Sequence, residues 1–310
     1  MSEPVIRAMQ DSDLDAADRI HRIAFGTRFG LPDPLKFRGD AQIVRARWAT
    51  EPDANIVAEI DGTIIGGACA MSWGSVFILG PVFVHPDQAG RGLARLLVRE
   101  MIARADVTGA SLTGLFTFPE SATHLRLYEG FDFVPQALTP ILTKAPEARA
   151  QRVHLLFSKL MAVEQESTLR QLRQLTESIF PGLDLTREVR AVARLGLGET
   201  ILLGEPNDIR GFAICHFGPR GEGGDTFFIK FAAVRPNADS DFGDLLDACE
   251  GLAVGLHAPR IAAGTNTART GAYRILRERG FRAGLVGVAM HRPDGPGYNR
   301  PDVFAIDDWR

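Results

Sequence analysis

Cysteine is scarce: 310 residues contain three, and Cys69, Cys215 and Cys249 stand far apart in apolar stretches. That count and spacing exclude a disulfide framework and a thiolate metal site, and they fit buried thiols in a reducing compartment. An excess of one charge is also missing. With 35 Lys and Arg against 38 Asp and Glu, the net charge is -3. No basic block interrupts this balance, so nucleic acid is not expected as a partner. Residues 1–7 lack the apolar core of a secretory leader, and a cytoplasmic location is the expectation. The seven histidines include no His-x-x-x-His pair and the chain has no Gly-x-Ser-x-Gly elbow. No metal site and no serine-hydrolase site are therefore indicated. Long hydrophobic runs are absent but for one: residues 63–84 carry no charge and are long enough to cross a bilayer. Ser72-Trp73-Gly74-Ser75 punctuates that run like a turn, and Gly66, Gly67, Gly80 and Pro81 suit strands. It reads as two core strands, with no membrane partner expected.

What is present describes an ordinary globular chain, 45% apolar and long enough for two domains of about 150 residues. Residues 5–8 read as a strand. Asp11-Ser12-Asp13 then offers caps for a helix carrying Leu14, Ala17, Ile20 and Ile23 at helical spacing. Residues 25–40, rich in Gly, Pro, Phe and Arg, read as a loop that covers a site or connects elements at the surface. A helix follows over 41–50, then a hairpin of strands 55–60 and 63–71 around Asp61-Gly62. The strand over 75–84 holds Gly80-Pro81, and because proline cannot donate to a ladder, a bulge or parting of strands is predicted there.

The stretch 82–101 organises the first half. An apolar strand ends at His85-Pro86, a loop carries Gly90 and Gly92, and Leu93, Leu96, Leu97 and Met101 mark one face of a helix. Two glycines let the loop turn its N–H groups toward one point at a helix N-terminus, where unpaired N–H groups and the helix dipole favour an anion. Arg91 adds a positive charge beside them.

This strand, His85-Pro86-Asp87, Gly90-Arg91-Gly92-Leu93-Ala94 and the following helix resemble the acetyl-CoA signature of the GNAT acetyltransferase superfamily. The family usually has Gln or Arg where this chain has Ala89. A second signature is resembled by residues 121–133, a helix ending in Leu127-Tyr128 before Gly130-Phe131-Asp132-Phe133, with Ser121 at the family's usual Asn and Asp132 at its usual Gly. The resemblance implies an α/β (α+β) fold with acetyl-CoA as co-substrate and an amine as acceptor. It also implies two strands, one over 75–84 and one over 112–118, that splay to admit the pantetheine arm. Backbone N–H groups of Val82, Phe83 and Val84 would bind that arm, and Ala89, Gly90, Arg91, Gly92, Leu93, Ala94 and Arg95 the diphosphate. Ser121 and His124 would lie near the cofactor, and Tyr128 would protonate the departing thiolate. Glu120 is a candidate general base, with a water chain as the alternative. The stretch 133–144 is expected to close the sheet.

After a linker over 144–152 the chain begins again. Val84-His85-Pro86 matches Val234-Arg235-Pro236, Leu96-Leu97 matches Leu245-Leu246, and Phe133 matches Phe281 at a near-constant offset, the sign of a duplicated domain. The expectation is two tandem GNAT-like domains, 1–145 and 151–310, each a mixed sheet flanked by helices. The second copy resembles the C-terminal repeat of tandem GNAT proteins. Its phosphate loop carries Asp239, Asp241 and Asp244 in place of Gly-x-Gly, and Leu276 stands where Tyr128 does. Those aspartates would repel a diphosphate, so this copy reads as non-catalytic, and they read as caps and a solvated face rather than metal ligands. Phe227, Phe228, Ile229 and Phe231 offer a strand for a core shared by the two copies. The sequence leaves open a homodimer, a non-enzymatic CoA sensor or scaffold, a different acyl-CoA, and the identity of the acceptor.

Overall fold

A computed structural model describes residues 3–147 and 154–310; of the expected linker, residues 148–152 lie outside the described residues. The first half runs β1 (Val5–Ala8), α1 (Leu14–Arg28), α2 (Ile43–Thr50), β2 (Ile56–Ile60), β3 (Thr63–Trp73) and β4 (Val76–Val84). It continues with α3 (Leu93–Thr108), β5 (Leu112–Thr117), α4 (Ala122–Glu129) and β6 (Val134–Lys144). The second half repeats this order element for element. It contains β7 (His154–Leu156), α5 (Ala162–Ile179), α6 (Thr186–Leu195), β8 (Gly198–Glu205), β9 (Asp208–Gly218) and β10 (Gly224–Val234). Then come α7 (Asp239–Gly255), β11 (Arg260–Gly264), α8 (Thr270–Glu278) and β12 (Arg282–Arg292), and a short β13 (Ala305–Ile306) without a counterpart in the first half.

Local chemistry explains the joints. Asp61 and Gly62 hold φ of 49° and 76°, the two left-handed residues that a two-residue hairpin between β2 and β3 requires. Gly92 and Gly109, both left-handed, bracket α3. Asp132, at the position where a glycine was expected, has φ of 64°, a conformation that aspartate tolerates better than most residues. The loop expected from residue 25 starts later, because α1 continues through Arg28.

All strands join one sheet, in the order β1-β2-β3-β4-β5-β12-β6-β11-β10-β9-β8-β7, with β13 added to β10. The stretch 133–144 therefore does not close the first half's sheet, as the sequence suggested. β12 lies against β5, with Val288 opposite Thr117. β6 lies instead between β12 and β11, with Ile261 opposite Lys144. Each half gives its last strand to the other. The two exchanged strands pair antiparallel at the centre of the sheet, so backbone hydrogen bonds cross the duplication boundary continuously. A shared core forms on one face: Trp73 of the first half meets Phe231 of the second edge to face, with centroids 5.5 Å apart, and both are buried. No helix among the described residues is long and apolar enough to cross a membrane.

Candidate active site

β4 and β5 are paired in parallel only from Val76–Leu79 against Leu112–Leu115. Beyond Leu79 the ladder stops, at the Gly80-Pro81 step where the sequence predicted a parting. On the other edge of β4, Ala68 faces Val82 while Ala70 faces Leu79. One β3 residue thus opposes two on β4, which is a β-bulge. Arg47 of α2 fixes this bulge by donating to the Gly80 carbonyl. The opening leads into a cavity of about 950 Å³ lined by residues 79–84 of β4 and by Phe118, His124 and Tyr128. Both halves contribute to its walls, the second through Glu222, Phe228, Trp309 and Arg310.

The equivalent opening in the second half is filled. Ala232 and Ala233, the counterparts of Val82 and Phe83, pair with Ile306 and Ala305 of β13. The segment behind β13 is anchored in the interior. Buried Tyr298 donates to Asp307 at 2.9 Å and accepts from Trp309 Nε1 at 2.8 Å, and buried Arg269 bonds Asp307 at 3.0 Å. The chain's own strand thus satisfies the backbone edge that faces the cavity in the first half.

Gly90 and Gly92 both have φ of 77° with open space where a Cβ would point. Among the described residues, the N–H groups of Gly90, Arg91, Gly92, Leu93, Ala94 and Arg95 have no protein acceptor. Ala89 differs, since its N–H is used by the Pro86 carbonyl at 3.0 Å; the donor set narrows to Gly90 through Arg95. The cradle at the α3 N-terminus fits a diphosphate. Arg91 is exposed and held by Gln88 at 3.0 Å, while Arg95 lies over the Phe131 ring. In the second half, the matching helix begins at Asp239, and Asp241 pairs with Arg210.

α4 presents His124 and Tyr128, one turn apart, to the cavity. The Tyr128 ring packs on Phe133, its hydroxyl has no protein partner among the described residues, and burial pushes it up to about 12. It is therefore a protonated donor at any physiological pH. Burial, helped by the charge of Arg28, holds His124 below the ordinary histidine range, and its Nδ1 has no protein partner. Ser121 stands at the N-cap of α4 without a capping bond. Glu120 is the residue that the fold does not bring in. It is largely exposed in the turn before α4, bonded to Arg28 at 3.0 Å and absent from the cavity wall.

Sequence reading missed His21, which α1 buries against the cavity beside Phe25, Phe37 and Phe83. It also missed the charged cluster behind it. Glu188, His216 and Glu222 converge closely enough to ligate a cation. Lys230 fills that role, with its Nζ 2.5 Å from Glu188 and 2.6 Å from Glu222, while Arg47 bonds Glu222 at 2.9 Å. Burial would raise Glu188, yet the Lys230 charge holds it at about 2. The two carboxylates and two cations balance, as a buried network requires.

Burial also holds His21 down to about 3 and lowers His216. Imidazoles kept neutral in the fold but free to charge when unfolded stabilise above the unfolded value near 6.5; this contribution is lost as the pH falls toward the folded value. Unfolding in urea should thus show stability falling between pH 6.5 and 5, before the carboxylates titrate, with His21 alone removing about 2 kcal/mol. An unchanged midpoint over that window would show that these rings are already charged in the fold.

Residues 19–133 match the model of the acetyltransferase (GNAT) family, so the first half carries a GNAT acetyltransferase domain. Among curated proteins, an acetyltransferase of Yersinia pestis is 30% identical over 89 residues, covering 28% of this chain and 61% of the relative. An uncharacterized N-acetyltransferase of Methanocaldococcus jannaschii is 31% identical over 98 residues, covering 31% of this chain and 56% of its own length. The chain thus matches somewhat more than half the length of these relatives. Of solved structures, a putative acetyltransferase from Pyrococcus horikoshii superposes with a TM-score of 0.71 at 15% identity, over 99% of this chain and 95% of that one. A tandem GNAT protein from the clavulanic acid biosynthesis pathway superposes with a TM-score of 0.59 at 14% identity, over 95% and 100%. These likenesses establish the fold, a tandem GNAT arrangement.

Proposed function

We propose that this protein transfers an acetyl group from acetyl-CoA to a primary amine, with residues 1–145 catalytic and 151–310 a non-catalytic copy. The observation that carries this reading is the difference between the two clefts: one opens beside a Gly90–Gly92 cradle and Tyr128, and the other is closed by β13. The thioester of acetyl-CoA supplies the activated acyl group. The free edge of β4 over Val82, Phe83 and Val84 would hold the pantetheine arm and polarise the acyl carbonyl. Holding amine and thioester in one cavity supplies much of the acceleration. Nitrogen forms the new bond to the acyl carbon as the C–S bond breaks. Tyr128 gives its proton to the leaving sulfur, and the amine proton passes to His124, which is neutral and faces the same cavity. His21 is too weak a base at about 3.

Titration calorimetry with acetyl-CoA should give one site per chain, and turnover should appear as thiol release with a panel of amines. Gly92→Glu should abolish binding, since it places bulk and negative charge at a left-handed position in the cradle. Two sites would overturn the non-catalytic assignment of the second half. Tight binding without turnover of any acyl-CoA and amine would make the protein a CoA sensor.

A further inference from the structure

The acceptor end of the cavity carries a cation with no partner. Arg38 lines the cavity, and among the described residues its guanidinium makes no hydrogen bond or ion pair. The charged groups that act on it are Arg310, Asp308, Glu222 and Arg260, all from the second half. Its loop meets the second half, where the Gln42 N–H donates to the Gly221 carbonyl at 3.0 Å, so Arg38 stands on that side of the cavity. The two nearby carboxylates are already engaged: Asp308 with Arg310 at 3.0 Å, and Glu222 with Arg47 and Lys230. Arg38 is exposed at the rim of the cavity, so its guanidinium is solvated and open to an incoming anion.

The loop that presents Arg38 is rigid. Arg22 donates to the carbonyls of Phe37, Gly39 and Ala41 at 2.8, 2.7 and 2.7 Å, and Asp18 holds Arg22 in turn at 2.7 Å. Arg38 itself has φ of 62°, a conformation that costs a non-glycine residue energy and is kept where surrounding contacts enforce it. Beside it, Phe37 stacks between Phe25 and Phe29 with centroids 5.5 and 5.6 Å apart. A flat aromatic wall thus meets a clamped, unpaired guanidinium.

We propose that the acceptor is an aromatic or apolar amine bearing a carboxylate, which Arg38 receives in its two-pronged donor geometry while the amine reaches toward Tyr128. The planar guanidinium offers two parallel N–H donors, the geometry that matches the two oxygens of a carboxylate. This inference rests on the acetyltransferase reading for the direction of the amine but not for the anion site.

The test uses aromatic amino acids, their carboxamides and phosphate-bearing analogues, with the full-length protein and its Arg38→Met and Arg38→Lys variants. Binding is measured by calorimetry with CoA present, and transfer by thiol release. The acid should bind the wild type about 10–100-fold more tightly than the amide. Arg38→Met should erase that preference, Arg38→Lys should restore part of it, and acetyl-CoA affinity should stay unchanged. Equal affinity for acid and amide would overturn the proposal, and so would preference for the phosphate analogue. Loss of acetyl-CoA affinity in Arg38→Met would overturn it too, by placing Arg38 in the CoA site. Arg38-dependent binding of acids without transfer would sustain this inference and sink the acetyltransferase reading instead.

Discussion

A fragment ending at Lys144 should fail to fold into a stable, acetyl-CoA-binding domain. Both neighbours of β6 in the sheet belong to the second half, so the fragment's last strand loses both of its pairings. β5 likewise loses β12, and with it Val288 and Met290, which are buried in the same core as Tyr128 and Phe133. On the shared core, Met71, Trp73, Val76 and Ile78 would be stripped of Phe231 and the α5 and α6 leucines and valines. Each such side chain contributes about 1.5–3 kcal/mol when fully buried. Losing half a dozen of these burials removes about as much as the entire 5–15 kcal/mol that holds an ordinary domain together. Circular dichroism, dye binding and acetyl-CoA titration of the fragment are the measurements. A soluble fragment that unfolds cooperatively and binds acetyl-CoA would show that the exchange of β6 and β12 is dispensable.

Replacing Tyr128 with Phe should slow the transfer step by about 10²–10³-fold while leaving acetyl-CoA affinity close to wild type. The substitution keeps the ring against Phe133 and removes only a hydroxyl that has no protein partner among the described residues. Folding stability should therefore change little, and the loss should fall on kcat. The lower part of the usual range for general acid catalysis, about 3–4 kcal/mol of barrier, is expected because a thiolate leaves more readily than an alkoxide. Single-turnover kinetics isolates the step from product release. A transfer rate within threefold of wild type would remove Tyr128 from the mechanism.

Much of this protein is written in local sequence. The hairpin at Asp61-Gly62, the parting of strands at Gly80-Pro81 and the glycine cradle before α3 each follow from the backbone freedom of a few residues. The Leu127-Tyr128 helix end was read from its resemblance to the family's second signature. The fixed offset between Phe133 and Phe281 likewise revealed the duplication, because both copies need the same buried positions to form the same elements.

Partner choice between strands was not legible. β6 and β12 are equivalent members of the two copies, and each carries the hydrogen-bonding edge and apolar face that would suit either half. Which sheet each joins is decided by the whole fold, where exchange lets one core form across both copies. The same holds for β13, two residues too short to announce a strand, whose place on β10 depends on Tyr298, Asp307 and Arg269 meeting in the interior. The surroundings of His124 were hidden for a related reason: its burial and the nearby charge of Arg28 are properties of a packed site. Sequence alone determined the order of elements in each copy and the glycine loop before α3 of the first. Tertiary structure decided which cleft stays open and what lines its far end, because closing one and walling the other requires residues far away along the chain.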